Sequence, residues 1–166
     1  MLCRMNRLER VRSVVDSTLR QVADPEDRRC GFVHLYGVSA TATFLARLRG
    51  LDEELAGIAG MLHDLSSYES GDPVEHGPRS ARRAGEILHD LGGFSEEEIV
   101  LIQSAISHHS DKEATHGRFE ELLKDADVLQ HDLYNPALDA HPRHAERRVR
   151  LRRELSRASA GGRGSR

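Results

Sequence analysis

Apolar side chains recur along most of this 166-residue chain at intervals of three and four, the spacing that places them on one face of an α-helix. No stretch shows the alternation of polar and β-branched residues that is typical of a strand. The pattern predicts seven helices, with approximate limits Leu8–Asp24, Arg28–Leu48, Asp52–His63, Gly77–Leu91, Ser95–His109, Phe119–Tyr134 and Pro142–Leu155. We therefore expect an all-α fold, a single bundle of about six to seven helices.

Glycine, proline and capping residues divide these segments. Ser95 followed by Glu98 is a capping-box sequence, which marks the start of a helix. Residues 66–77 contain several breakers and predict a loop that covers the site described below. The predicted organisation is an N-terminal helix that packs on the domain (1–27), a core (28–135), an arginine-rich C-terminal helix (136–160) and a disordered tail (161–166).

Charge is distributed unevenly. The net charge is −3, but residues 141–166 carry nine arginines and two glutamates, so the remainder has 15 basic and 25 acidic residues. The arginine-rich end suits the acidic surface of its own domain, which we favour, or a second copy of the chain; nucleic acid is a less favoured partner. Cys3 and Cys30 form neither a disulfide framework nor a zinc knuckle, and no segment is apolar enough to span a bilayer. We expect a cytoplasmic protein with no membrane partner.

Histidines and acids at the core-facing ends of the predicted helices carry the candidate chemistry. His34 is in phase with the apolar face of its helix, and His63-Asp64 follows the small, apolar segment 56–62. Further along the chain stand His76, the pair His108-His109, and the aspartates Asp125 and Asp127. Imidazole and carboxylate together are ligands for a divalent metal. The pattern therefore predicts a metal-dependent hydrolase.

The His-Asp dipeptide occurs three times in the chain. The dipeptide alone is therefore weak evidence for a metal site, and the surrounding residues have to distinguish the three pairs. His89-Asp90 lies at the solvated end of its helix, and His131, four residues after Asp127, is at best a neighbour of a ligand. Only His63-Asp64 follows a helix that can pack closely in the centre of the domain. It is the pair that we assign to a metal site.

Residues 28–135 resemble the HD-domain superfamily of metal-dependent phosphohydrolases. The resemblance rests on His34, on His63-Asp64 after Met61-Leu62, and on Ala126-Asp127-Val128-Leu129. It implies that His34, His63, Asp64 and Asp127 bind one divalent ion, with Asp125 as the alternative to Asp127. The ion is not specified: manganese, iron, nickel, zinc and magnesium all remain open.

The segments around His76-Gly77-Pro78 and Ile106-Ser107-His108-His109 are similar to those of HD-domain members with two metals. This similarity implies a second ion held by His76, His108 and His109, with Asp64 as the bridging ligand. Ser66-Ser67 departs from the family pattern, because many members have a lysine three residues after the His-Asp pair. No Gly-Tyr-Pro motif follows the double histidine, which argues against the cyclic-di-GMP phosphodiesterase branch.

The resemblance implies hydrolysis of a phosphomonoester or phosphodiester, in a nucleotide or a small phosphorylated metabolite, by metal-activated water. We expect Asp64, His76 and Arg79 to act in catalysis, with Arg79 as a clamp for a phosphate oxygen. Glu69 and Glu75 are further acid or base candidates in the predicted loop. The sequence shows neither a glycine-rich phosphate loop nor a cluster of aromatic residues for stacking a base. The alternative function is a non-catalytic HD-like regulatory or nucleic-acid-binding module that uses the arginine-rich helix.

Overall fold

Helices form all the regular secondary structure in the part of the chain that the computed structural model describes, residues 6–72, 74–136 and 144–161. In order they are α1 (Arg7–Leu19), α2 (Pro25–Arg49), α3 (Glu53–Leu62), α4 (Leu65–Ser70), α5 (His76–Leu91), α6 (Glu96–His108), α7 (Arg118–Tyr134) and α8 (Ala145–Gly161). The expected all-α fold is confirmed. Among these described helices, none has the length and apolarity that crossing a membrane requires.

Three predicted boundaries are wrong. The first helix, expected to end near Asp24, ends at Leu19. The helix expected from Arg28 begins at Pro25, because proline at the first position needs no hydrogen-bond partner and the Asp24 side chain accepts from the next two backbone N–H groups. The segment predicted as a loop from residue 66 contains α4, which ends at Gly71 in the left-handed conformation. The predicted helix start at Pro142 and the tail residues 162–166 lie outside the described residues.

The core lies between α2, α3 and α7 on one side and α5 and α6 on the other, and α1 covers α3, α4 and α5. Helix α3 is the central element, since every one of its residues from Leu55 to Leu62 is buried. Gly60 faces the backbone of α2, and a Cβ atom there would lie 2.7 Å from the Ser39 N and Cα atoms. The absence of a side chain at this position therefore allows the two helices to approach closely.

The arginine-rich helix α8 packs against α7. Arg147 and Arg150 pair with Asp125, while Arg148 and Arg152 pair with Asp132. Leu151 is fully enclosed on the same face of the helix. These contacts support docking of the arginine-rich helix on the acidic surface of its own domain.

Candidate metal centre

Five separate parts of the fold bring imidazoles and carboxylates to one place. His34 lies within α2, His63 caps the end of α3, His76 begins α5 and His109 caps the end of α6. Asp64 stands between α3 and α4 in a non-helical conformation, with φ −117° and ψ 9°. That break directs its side chain away from the helical path and into the centre.

The first cluster consists of His34, His63, Asp64 and Asp127. The Nε2 atoms of His34 and His63 are 3.1 Å apart, and both are 3.4 Å from Asp64 Oδ2. Asp127 Oδ1 lies 3.7 Å from His34 Nε2 and 4.0 Å from His63 Nε2. The donor atoms of His34, His63 and Asp64 therefore converge on one small volume, and Asp127 lies beside them in a group with His34 and His131. Imidazole nitrogens and carboxylate oxygens are a donor set that suits a divalent transition metal.

The second cluster consists of Asp64, His76 and His109. Asp64 Oδ1 lies 3.1 Å from His109 Nε2 and 3.5 Å from His76 Nε2, and those two nitrogens are 3.2 Å apart. Asp64 thus turns one oxygen to each cluster. This is the geometry of a carboxylate that can bridge two ions.

Hydrogen bonds to the other ring nitrogens indicate what fits between these side chains. The Nδ1 atoms of His63 and His109 donate to the carbonyl oxygens of Gly60 and Ile106, at 2.8 and 2.7 Å. Because a carbonyl oxygen only accepts, each neutral ring presents a bare Nε2 lone pair to the clusters. The buried Asp64 Oδ1 atom also accepts no well-aligned hydrogen bond. Facing lone pairs of this kind require a cation among them, so the residues present fit a metal.

The electrostatics agree with this interpretation. Burial alone would raise the pKa of Asp64, but His63, together with His109 and His34, holds it well below its usual range. Burial lowers the pKa of His109, which favours the neutral, ligating ring. Burial also acts to lower the pKa of His63, but Asp64 outweighs it, so the pKa is raised and a proton can stand in for a metal ion. Metal binding must therefore displace that proton.

Three further residues reach the first cluster: His131, which the sequence interpretation gave at most the role of a neighbour of a ligand, and Gln130 and Lys112, to which it gave no role. His131 Nε2 lies 3.5 Å from Asp127 Oδ1, one helical turn further along α7, and its side chain is 65% exposed. Gln130 Oε1 lies 3.0 Å from His34 Nδ1, so the amide oxygen fixes the orientation of this ring. Lys112 Nζ lies 2.6 Å from Asp127 Oδ2. The spacing of His131 four residues after Asp127 was the one available signal; Lys112 gave none.

The structure does not bring two of the predicted site residues, His108 and Arg79, into the clusters. His108 stacks on His116 with ring centroids 4.2 Å apart, and its Nδ1 atom bonds the Ser104 carbonyl. His108 is the last residue of α6 and His109 is its C-cap, and the two side chains have different contacts. Arg79 bonds Asp72 and the Val74 carbonyl, which ties down the connection before α5. These placements do not support His108 as a ligand or Arg79 as a phosphate clamp.

Asp125, the alternative ligand, faces the opposite side of α7 from Asp127. Its carboxylate contacts the guanidinium groups of Arg49, Arg147 and Arg150 at 2.7, 2.5 and 2.8 Å. This placement supports Asp127 rather than Asp125 as the ligand. Of the loop acids, Glu69 pairs with Arg83 at 3.0 Å, and Glu75 is exposed before α5.

Two pockets open beside the clusters and meet at Asp64 and Tyr68. One has a volume of about 310 Å³ and extends between Tyr68 and Tyr134, with His34, Gln130 and His131 at its inner end. The other has a volume of about 340 Å³ and extends past Ser67 and Gly71 to His76. The structure thus brings together two aromatic residues that showed no clustering in the sequence.

Comparison with known proteins is consistent with this geometry. The family model described as HD domain matches residues 31–149, which include every residue of both clusters. No curated protein and no solved structure matched the chain. The family is one of metal-dependent phosphohydrolases, and its model covers well over half of the sequence. The chain therefore belongs to the HD-domain family.

Proposed function

We propose that this protein is a metal-dependent phosphohydrolase that cleaves a phosphomonoester or phosphodiester of a nucleotide or a small phosphorylated metabolite. The observation that carries the proposal is the Asp64 carboxylate, which turns one oxygen to each of two histidine clusters. A structural site would close around one ion with four protein ligands, whereas a catalytic site leaves room for water and substrate. The two pockets that meet at Asp64 provide that room.

The residues of the first cluster would hold one ion, and Asp64, His76 and His109 a second. A divalent ion bound there offsets negative charge on phosphate oxygens and lowers the pKa of water, so that hydroxide is available near neutral pH. The chain's own residues supply orientation. Gln130 and the Gly60 and Ile106 carbonyls fix the rings of His34, His63 and His109 with their Nε2 atoms inward.

His76 is the residue of the clusters best placed for proton exchange in this proposal. Its side chain is 27% exposed, compared with 0% for His63 and 2% for His109. With only the first cluster loaded, the His76 imidazole is not a metal ligand and could give a proton to a leaving oxygen. With both clusters loaded it becomes a ligand. The number of bound ions therefore decides which of its two expected roles it takes.

The proposed class of substrate rests on the aromatic side chains that line the pockets. Tyr68 lines both pockets, and Tyr134 lines the first. Their rings offer stacking surfaces to a base or a sugar while the phosphate lies at Asp64. A volume of about 310 Å³ is at the lower end of the range for small-molecule sites. A small phosphorylated metabolite or a single nucleotide fits this space better than a polymer.

The alternative, a regulatory or nucleic-acid-binding module, has less support. Four arginines of α8 already pair with acids of α7, which reduces the cationic surface that nucleic acid would need. The chain also has all four of the ligands that the resemblance implies for one ion, which a module without catalytic function would not need. We therefore do not advance this second function.

Elemental mass spectrometry combined with a phosphoester screen tests the proposal. Tag-free protein purified without chelator should contain one or two transition-metal ions per chain and hydrolyse a phosphoester in that metal. Asp64→Ala should lose both properties while keeping its helical circular dichroism. Asp90→Ala is the matched control, since Asp90 follows a histidine in the same way but is exposed at the end of α5. Wild-type protein that binds no metal, even after incubation with manganese, iron, nickel or zinc, would contradict the proposal.

A further inference from the structure

Lys112 is buried next to the candidate metal centre, although it lies in the connection between α6 and α7. Its side chain is only 7% exposed, and its ammonium group lies 2.6 Å from Asp127 Oδ2. The other oxygen, Oδ1, faces His34 and His63. A lysine on one oxygen of a carboxylate limits its rotation and leaves the second oxygen to face the first cluster.

Several contacts hold Lys112 in place. The ammonium group also donates to the carbonyl oxygen of His109, a residue of the second cluster. The backbone N–H of Lys112 donates to the Ser110 carbonyl, and its own carbonyl accepts from Arg147 of α8. Lys112 therefore contacts both clusters at once and is fixed from three directions. A lysine held in this way cannot follow a mobile substrate.

The position of Lys112 also separates it from the lysine that many HD-domain members carry three residues after the His-Asp pair. In this chain Ser67 occupies that position and lines the pocket beside the second cluster. Lys112 lines neither of the two pockets described above. A phosphate clamp would have to face one of these pockets, whereas Lys112 faces a ligand. The geometry thus favours action through Asp127 rather than on the substrate.

We propose that Lys112 is a positioning residue that orients Asp127 Oδ1 for metal binding in the first cluster. The inference rests on the proposed function, because it assumes that the cluster holds a metal. Before the metal binds, the ammonium group offsets one of the two carboxylate charges, so the ligands can stay close together without an ion.

Calorimetric titration of the metal-free protein with Mn²⁺ tests this role. Lys112→Met keeps the apolar stem and removes the ammonium group, and we expect its affinity for Mn²⁺ to fall roughly 10- to 100-fold. Lys112→Arg keeps a cation that reaches Asp127 and should restore most of that affinity. The visible spectrum of the Co²⁺-loaded protein should change in Lys112→Met and return towards the wild-type spectrum in Lys112→Arg.

Lys124→Met is the matched control. Lys124 is also a buried lysine, but it pairs with Glu121 and His116 and contacts neither cluster. Its loss should leave Mn²⁺ affinity unchanged even if stability falls. Equal affinity in wild type and Lys112→Met, or an equal loss in Lys112→Met and Lys112→Arg, would overturn the positioning role. Where the wild type does not bind Mn²⁺, the same titration is made with Fe²⁺, Ni²⁺ and Zn²⁺, and failure of the wild type to bind any of the four would instead overturn the proposed function.

Discussion

Asp125 and Asp127 lie two residues apart on α7, and both are largely buried, yet their surroundings differ in kind. Asp125 is 2% exposed and contacts three guanidinium groups, those of Arg49, Arg147 and Arg150. Asp127 is 13% exposed and faces histidines on one oxygen and a single lysine on the other. One helix therefore presents one carboxylate to guanidinium groups alone, and another to a lysine and to imidazoles that can bind a metal.

The difference shows how a fold separates a structural carboxylate from a ligand. An arginine keeps its charge at any ordinary pH, so a carboxylate enclosed by three of them has no oxygen available for a metal. A neutral imidazole gives a carboxylate no charge partner and presents a lone pair instead. The capacity of the first cluster to hold an ion thus depends on the partners of each aspartate and not on the aspartate itself.

Exchanging each carboxylate for an amide should give the largest effects and should separate the two sides of α7. Asp125→Asn removes a buried anion that three arginines share, and we expect the free energy of unfolding to fall by about 3–5 kcal/mol. Asp127→Asn should lose at least ~100-fold in Mn²⁺ affinity, with a smaller loss of stability because one cation rather than three is left. Urea denaturation and calorimetry measure the two effects. Loss of metal affinity in folded Asp125→Asn would contradict the assignment of a purely structural role to Asp125.

Arg147→Met should have the next largest effect. Its side chain is 9% exposed and pairs with both Glu121 and Asp125. Because Asp125 keeps two other arginines, we expect the free energy of unfolding to fall by about 2 kcal/mol, less than in Asp125→Asn. Arg152→Met is the control, since Arg152 is 58% exposed and its pair with Asp132 should contribute less than about 1 kcal/mol. Equal losses of stability in the two variants would contradict the prediction.

Gln130→Leu tests the metal-binding side of α7, where Asp127 lies. It removes the acceptor for His34 Nδ1, so the ring is free to turn and the affinity for Mn²⁺ should fall about tenfold, or about 1.4 kcal/mol. Gln103→Leu is a matched control, because Gln103 donates to the Ala81 carbonyl and not to a histidine. Unchanged affinity in Gln130→Leu would show that His34 is oriented by packing alone.

The smallest predicted effect is a dependence of stability on pH that arises on the Asp125 side. Burial alone would raise the pKa of Glu121, but Lys124 and Arg147 lower it to about 2. Its ordinary value is about 4.3, so this carboxylate contributes stability above that pH and loses the contribution as the pH falls towards 2. We expect this contribution to the free energy of unfolding to be about 1 kcal/mol. The thermal midpoint should fall less between pH 5 and pH 3 in Glu121→Gln than in the wild type, and parallel curves would exclude the effect.

The sequence predicted the parts of this molecule that depend on helical phase. His34 and His63 continue apolar stripes of their helices, so their inward direction follows from spacing alone. The same argument predicted the all-α fold, and the resemblance predicted the HD-domain family; both are confirmed. Helix α4 escaped prediction because a helix of six residues is too short to show a period.

Contacts between segments that are distant in the chain could not be predicted in this way. The choice between Asp125 and Asp127 depends on the arginines of α8, which lie more than twenty positions away. Lys112 lies outside any periodic segment, so nothing in its neighbourhood indicates burial or a partner. His108 and His109 look equivalent in the sequence, and only the end of α6 separates their directions.

Gly60 carries a consequence for recognising centres of this kind in other chains. Its missing side chain lets α3 lie against the α2 backbone, and His34 and His63 project from those two helices. The spacing of two ligands is thus controlled by a residue with no functional group. A signature that records only histidines and aspartates would accept a chain with a bulky residue at this position, although its ligands would be held too far apart to share an ion. A sequence signature for the site should therefore include the glycine at position 60 as well as the metal ligands.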